Sequence, residues 1–376
     1  MNEQAADVII VGGGFMGAAT AFFLRQRGRS VILLERGLIG QQASGVNFGN
    51  VRRQGRHICQ LPLANRSRAI WGRLSELIGE DAEFLKTGHL RIGYRPEHIG
   101  MMEAYRDASD PYGLDLELIS ANQLRQRFPF LGPEAIVGSF APHDGHANPR
   151  LAAPAFGRAA RRAGATVVEN AEVDTIDKVS TDFLVQTKDG RRFRAPAVQI
   201  SAGAWGNRLS TRFGEPVPMI VKGPQMGVTE AVPYALTPVL GVSTKDKLEA
   251  IYLRQVTRGN IVFGGTGHGP ADLDTIRARV DPAVTLHQFT QLTRFVPALA
   301  ALRIIRVWSG IEGYMDDDVP VMGPSAKVPG LFYAFGFCGA GFQLGPGVGD
   351  VMAELIDTGH TSTPIEPFHI SRFAAS

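Results

Sequence analysis

This chain has almost no cysteine: two in 376 residues, Cys59 and Cys338. Two cannot build a four-cysteine iron–sulfur or zinc site, and no disulfide framework can rest on them. The reducing cytoplasm is therefore the expected compartment, and any iron–sulfur centre would have to sit in a partner protein. Charge of one sign is also lacking. With 39 basic and 36 acidic residues the formal net charge is +3. Over this length that is no nucleic-acid footprint. Long apolar runs are missing as well. Leu331 to Val348 comes nearest to a membrane span, but five glycines and Pro346 fall within it, so no transmembrane segment is expected. The start, Met1 to Asp7, lacks the basic-then-apolar order of a signal peptide. The nine histidines show no metal-ligand spacing, so no metal is expected. There is no internal repeat and no low-complexity tail.

What is plentiful is glycine, at 44 residues. That points to tight turns and to places where backbone approaches a ligand. The length suits two domains of ordinary size.

The first 35 residues read clearly. Asp7 to Val11 is a β-branched run, the pattern of a buried parallel strand. Phe15 to Arg27 reads as a helix with Ala18, Ala19, Phe22 and Phe23 on one face, stopped by Gly28. Ser30 to Glu35 is a second buried strand. Between the first strand and the helix stand Gly12, Gly14 and Gly17, which satisfy G-x-G-x-x-G. The first permits a tight turn, the second lets backbone reach a pyrophosphate, and the third lets helix pack on strand. The helix N-terminus adds free N–H groups for the anion. Glu35, 23 residues after Gly12, is placed to accept hydrogen bonds from a ribose. The loop alone leaves FAD and NAD both open.

Further on, Gly40 to Arg56 reads as an aperiodic loop rich in glycine and arginine. Thr166 to Val173 reads as one strand and Pro149 to Gly164 as a helix. From Gly214 to Trp308, short strand-like runs alternate with Pro/Gly turns, interrupted by a helix over Pro282 to Phe295. This pattern fits a mostly antiparallel sheet. Leu331 to Phe335 returns to a buried strand and Gly347 to Thr358 to a helix.

Gly336-Phe337-Cys338-Gly339-Ala340-Gly341-Phe342-Gln343-Leu344-Gly345-Pro346-Gly347 is a second glycine-rich turn before a helix. With Gly40-Gln41-Gln42-Ala43-Ser44-Gly45 and the stretch Trp308 to Gly323, it resembles the D-amino-acid oxidase superfamily of flavoproteins. Within it, the chain is most similar to the β-subunit group of sarcosine oxidase, opine oxidase and hydroxyproline or proline dehydrogenase. The resemblance covers nearly the whole chain. It implies an α/β fold: a Rossmann-like FAD-binding domain with a second α+β substrate domain on a mostly antiparallel sheet. The FAD-binding domain would comprise residues 1–85, 143–213 and 315–376, and the substrate domain 86–142 and 214–314.

The resemblance also assigns positions. Gly12, Gly14, Phe15, Met16 and Gly17 would hold the pyrophosphate, and Glu35 with Arg36 the adenosine ribose. Ala43, Ser44, Asn47, Phe48, Gly49 and Asn50 would run along the pyrophosphate and flavin ring. Val173 would meet the adenine, and Ala202, Gly203 and Trp205 would close over the cofactor. Gly310 would lie beside it. Gly339, Gly341, Phe342 and Gln343 would lie at the pyrimidine end, where the last helix can stabilise negative charge. The implied reaction oxidises the C–N bond of an opine, D-hydroxyproline, proline or sarcosine-like amine, by hydride transfer to flavin N5.

Three departures from the family pattern matter. Glu312 stands where many simple amino-acid oxidases have a carboxylate-binding arginine. A carboxylate cannot clamp another, so Arg52, Arg53 and Arg254 become the candidates, with Arg53 the one best suited to plain salt bridging. Tyr252 and Arg254 share one side of a strand; both, with Arg52, Glu312 and Gln343, are candidate catalytic residues. No cysteine lies near Gly310, which implies noncovalent FAD. No lysine lies in Asn260 to Gly265, which implies an electron acceptor other than oxygen. That acceptor would be a heteromeric partner carrying an iron–sulfur centre or a second flavin; His143 and His146 could contact such a flavin at a subunit interface, although a turn is the better reading of Pro142 to Pro149. The alternative is a β subunit that is inactive alone.

Overall fold

The computed structural model describes residues 3–374 except residue 247, and all their side chains except that of residue 266. Val8–Val11 pairs in parallel with Val31–Leu34 on one side and with Ala197–Ile200 on the other. The six-stranded sheet they centre runs Val321–Pro324, Leu331–Phe335, Ala197–Ile200, Val8–Val11, Val31–Leu34, Thr166–Val168. Only Val321–Pro324 is antiparallel to its neighbour. Ile10 faces a helical layer and Ile9 the opposite one, and both are fully buried. Burial on both faces is why the strand is apolar without alternation.

Helix Phe15–Gln26 lies on one face, between Pro149–Arg162 and Gly341–Thr358. Phe15 anchors that layer, its ring 5.8 Å from Trp71 and 5.6 Å from both Phe156 and Phe342. A Cβ on Gly345 would stand 2.6 Å from the Phe15 ring, and one on Gly349 2.4 Å from Ala19 Cβ. Much of the glycine in the last helix thus serves helix–helix packing rather than turning. That helix begins at Gly341, six residues before the expected Gly347. Pro346 and the glycines disguise its first turns, because Pro removes one N–H and the glycines are compensated only by this tertiary contact.

The second large sheet has the strand order Ile304–Ser309, Met219–Ala231, Asn260–Gly269, Ile251–Gln255, Val239–Val242, His89–Gly93, Val137–Ala141, Glu117–Ser120, with Glu312–Met315 also pairing along Met219–Ala231. One pairing within it, Val239–Val242 with His89–Gly93, is parallel, and the others are antiparallel. Helix Pro282–Phe295 covers it with Leu292 and Phe295 inward. The run expected to be one strand from Thr166 divides: Thr166–Val168 ends the parallel sheet, and Val173–Val179 joins a separate four-stranded sheet. The loop after Gly40 holds a short helix, Ala43–Val46, and a two-residue strand, Asn50–Val51, paired with Gly145–His146. No helix among the described residues is long and apolar enough to cross a membrane.

Candidate cofactor and substrate site

One cavity of about 660 Å³ joins the N-terminal glycine loop to the face of the large sheet. Its lining includes Gly12, Gly14, Phe15, Met16, Glu35, Arg36, Ala43, Ser44, Asn47, Phe48, Gly49, Asn50, Val173, Ala202, Gly203, Trp205, Gly339, Gly341 and Phe342. Arg52, Tyr252 and Glu312 line it too.

The dinucleotide end is built by backbone. Gly12 sits at φ +106°, and a Cβ there would lie 2.5 Å from Ser201 O. Gly17 is a packing position, since a Cβ on it would lie 2.0 Å from Gly12 O. The helix opens at Gly14, which has no side chain to cap it, and carries no acid in its first turn, so beyond the N–H taken by Ser44 its N-terminus presents positive N–H groups. Ser44 Oγ accepts the Phe15 N–H at 2.8 Å. Glu35 accepts the Gly13 and Gly37 N–H groups, each at 2.7 Å. A carboxylate offers about four acceptor sites, so capacity remains for a ribose diol. The Arg36 guanidinium stacks 4.1 Å from the Trp205 ring. At the other end the last helix also opens without a cap or an acid. Helix N-termini without acids at both ends, a glycine cradle and one acid fit a dinucleotide such as FAD.

Asn47 folds the loop over this cavity. Its Nδ2 donates to Ala43 O at 3.0 Å and Ser44 O at 2.9 Å, and its Oδ1 accepts the Gly49 N–H at 2.8 Å. Trp308 Nε1 donates to Val46 O at 2.7 Å and pins the loop from behind.

Besides Gly17, expected at the pyrophosphate, three expected site residues do not line the cavity. Gly310 does not line the cavity; a Cβ there would be 2.3 Å from Val46 Cγ2, so it gives room to the loop. Gln343 is fully buried behind the cavity. Its Nε2 donates to Ala64 O at 2.8 Å, and its carbonyl accepts from Trp71 Nε1 at 2.9 Å, which ties two helices together. Arg254 shares the Tyr252 face as expected, but the Phe48–Gly49 backbone covers it. Its Nε donates to Phe48 O at 2.7 Å, and Nη1 stands 3.1 Å from His146 Nδ1. Burial lowers Arg254 to about 10 and, with that cation beside it, His146 to about 3. His146, only 3% exposed, is therefore a neutral core residue and not an interface group.

Arg53 is turned away, with Nε 3.5 Å from Asp144 Oδ1. Asp144 also accepts the N–H groups of Arg53 and Gln54 at 2.9 and 3.0 Å. Breaking such a buried pair from one side leaves a buried charge alone, so Asp144→Ala should cost about 3–5 kcal/mol. The check is the urea or thermal midpoint, and an unmoved midpoint would refute this role.

At the sheet end of the cavity, Tyr252 shares the lining with Arg52 and Glu312. The Phe48 ring is 4.7 Å from the Tyr252 ring. Glu312 accepts the Tyr314 hydroxyl and the Gly339 N–H, each at 2.9 Å. Burial raises its carboxyl above the usual value, against those two hydrogen bonds. Arg52 donates Nη1 to Gln54 O, and burial lowers its guanidinium. Arg56, Met226 and His268 also line the cavity. Of these, Arg56 lies within a stretch conspicuous for its arginines; the others carry no motif that would single them out.

Cys338 Sγ meets the Met315 N–H and Gly336 O, both at 3.1 Å. Burial pushes its thiol up to about 12, so it is an unreactive filler.

Residues 7–355 match the family model described as "DAO: FAD dependent oxidoreductase". Glycine oxidase of Geobacillus kaustophilus (strain HTA426) is 28% identical, covering 97% of this chain and 97% of that protein. The B component of the opine oxidase of Rhizobium meliloti is 25% identical, covering 98% of each chain. The crystal structure of L-proline dehydrogenase from P. horikoshii superposes with a TM-score of 0.91 at 26% identity, over 99% of this chain and 98% of that one.

Proposed function

The chain belongs to the FAD-dependent oxidoreductase family, and on that premise we propose that it oxidises the C–N bond of a secondary amine or amino acid. The observation that carries the reading is that one cavity is lined by a guanidinium, Arg52, a buried carboxylate, Glu312, and Tyr252. A guanidinium grips a carboxylate bidentately. A buried carboxylate holds the substrate nitrogen. Bound FAD would supply the two-electron acceptor for the hydride from the carbon next to that nitrogen. The residues bind, orient and exclude water, which suits a reaction that depends on positioning.

The division into an FAD-binding unit and a substrate unit, as read from the sequence, belongs to this proposal. So does noncovalent attachment: Cys59 is outside the cavity, and Cys338, which lines it, has its Sγ engaged with the Met315 N–H and Gly336 O. Acid precipitation should release all of the flavin. The run Asn260 to Gly265 carries no lysine, which supports an acceptor other than oxygen, although Lys222 Nζ stands 4.8 Å from the ring of cavity-lining Tyr314. Likeness to one component of a multi-subunit opine oxidase favours a second reading, in which the chain works within a heteromeric assembly.

The test is anaerobic addition of a broad amine and amino-acid panel to the flavin-loaded protein. Bleaching of the flavin band by at least one member is expected. If none bleaches it, the substrate reading fails.

A further inference from the structure

Ala271–Asp272 and Arg277–Ala278 pair as a small hairpin outside both large sheets. The hairpin continues strand Asn260–Gly269, whose Gly265 and His268 line the cavity. None of its own residues does. A hairpin of two residue pairs is marginal on its own. Its turn is also strained: Ile276 sits at φ +55°, where a β-branched residue is rarely found. Such a conformation persists only where surrounding contacts fix it.

Those contacts reach the dinucleotide end of the cavity. Asp272 Oδ1 accepts the N–H groups of Asp274 and Thr275 at 2.8 and 2.9 Å. The Asp274 N–H and the Leu273 carbonyl belong to one planar trans peptide and point in opposite directions. Holding that N–H therefore aims the carbonyl the other way, and Leu273 O accepts Trp205 Nε1–H at 3.0 Å. An indole N–H can only donate, and the Leu273 carbonyl is its partner. Trp205 lines the cavity, and so does Arg36, which stacks on its ring. Arg36 in turn follows Glu35, the acid with capacity left for a ribose diol. The backbone beside Trp205 is pinned, since a Cβ on Gly206 would lie 2.3 Å from the Phe335 ring. The indole is thus set by the wall behind it and by a hairpin outside the cavity. An Arg208–Asp274 ion pair at 2.6 Å spans the same gap, but its side chains are 50% and 79% exposed, so it adds little.

We infer that this hairpin belongs to the cofactor site. Through the Leu273 carbonyl it positions the Trp205 indole, with Arg36 stacked on it, against the adenosine half of FAD, and so sets how fast FAD leaves. Asp272 is a positioning residue that acts through Leu273. The inference concerns retention of the cofactor and is independent of which amine is oxidised.

Release of FAD tests it without any substrate. The FAD-loaded protein is held with excess 5-deaza-FAD, which fills emptied sites, and the FAD that passes an ultrafilter is measured over time. Trp205→Phe removes the N–H and keeps a ring for Arg36. Asp272→Ala frees the turn from outside the cavity. Each should speed release roughly three- to tenfold, the worth of one hydrogen bond. The double variant W205F/D272A should release FAD no faster than the faster single variant, because both changes cut one link. Unchanged release in both single variants overturns the inference. Effects that multiply in the double variant overturn the link through Leu273, since independent loosening of the fold is additive in free energy. If W205F does not take up FAD, D272A alone decides: faster release supports the hairpin's role, and a wild-type rate overturns it.

Discussion

Replacing Arg52 by methionine is expected to lower kcat/KM for the best substrate by roughly 100-fold or more. Truncating one partner of a desolvated, hydrogen-bonded charge pair costs about 2–5 kcal/mol, and each 1.4 kcal/mol is tenfold. Methionine keeps much of the length and apolar body of the stem, so packing around it changes little. The contact is made to a part of the substrate that does not react. It therefore contributes to ground state and transition state alike, and the loss should appear mainly in KM. The stability effect has the opposite sign. Burial lowers the Arg52 guanidinium, and its charge depresses Arg56 and Arg91. A base whose folded pKa is lowered costs the fold free energy while charged, here throughout the neutral range. R52M should thus retain FAD and unfold at the same or a higher temperature than the wild type. A variant with full kcat/KM would remove Arg52 from the substrate site. One that loses both FAD and stability would show a structural role instead.

The parts of this molecule legible in its sequence are those whose signal is local. Val8 to Val11, the glycine loop and Glu35 declare themselves because strand, turn and helix each impose their own residue types within a short span. Helix Pro282–Phe295 is legible for the same reason, with Pro at its start. The last helix reads too short because Gly345 and Gly349 look like breakers until Phe15 and Ala19 are seen against them. Tertiary contact overrides propensity there.

The site follows the same rule. Tyr252 and Arg254 do share a face, as period-two alternation requires. Alternation does not say how far along the strand the cavity reaches, and Phe48–Gly49 closes over Arg254 first. Gln343 misleads in a similar way. Its neighbour Phe342 lines the cavity, but one step along a helix turns a side chain by more than a quarter of a circle.

Glu312→Gln is the change that separates binding from proton handling. Glutamine keeps an oxygen for the Gly339 N–H, and its amide can donate to the Tyr314 hydroxyl, so the local hydrogen bonds survive. What is lost is the negative charge that holds a protonated amine and can take its proton. Only unprotonated amine gives up hydride, and amines are mostly protonated at neutral pH. The wild-type protein can bind the ammonium form and accept its proton at Glu312; E312Q must await the small neutral fraction. At neutral pH we expect kcat/KM to fall by about 100-fold, within the range usual for general acid–base groups. The E312Q profile should then climb about tenfold per pH unit toward the substrate's own amine pKa, and the gap to wild type should close at high pH. The wild-type acid limb should lie above the ordinary carboxylate value of 4.5, because burial raises Glu312. Stability supplies an independent check. With the folded pKa above the unfolded one, the contribution of Glu312 is full below 4.5 and is lost as pH rises through the raised folded value. E312Q has no such loss and should be at least as stable as wild type at neutral pH. A rate deficit of constant size at every pH would leave Glu312 as a binding group only, and an E312Q enzyme with wild-type kcat/KM at neutral pH would remove it from the reaction.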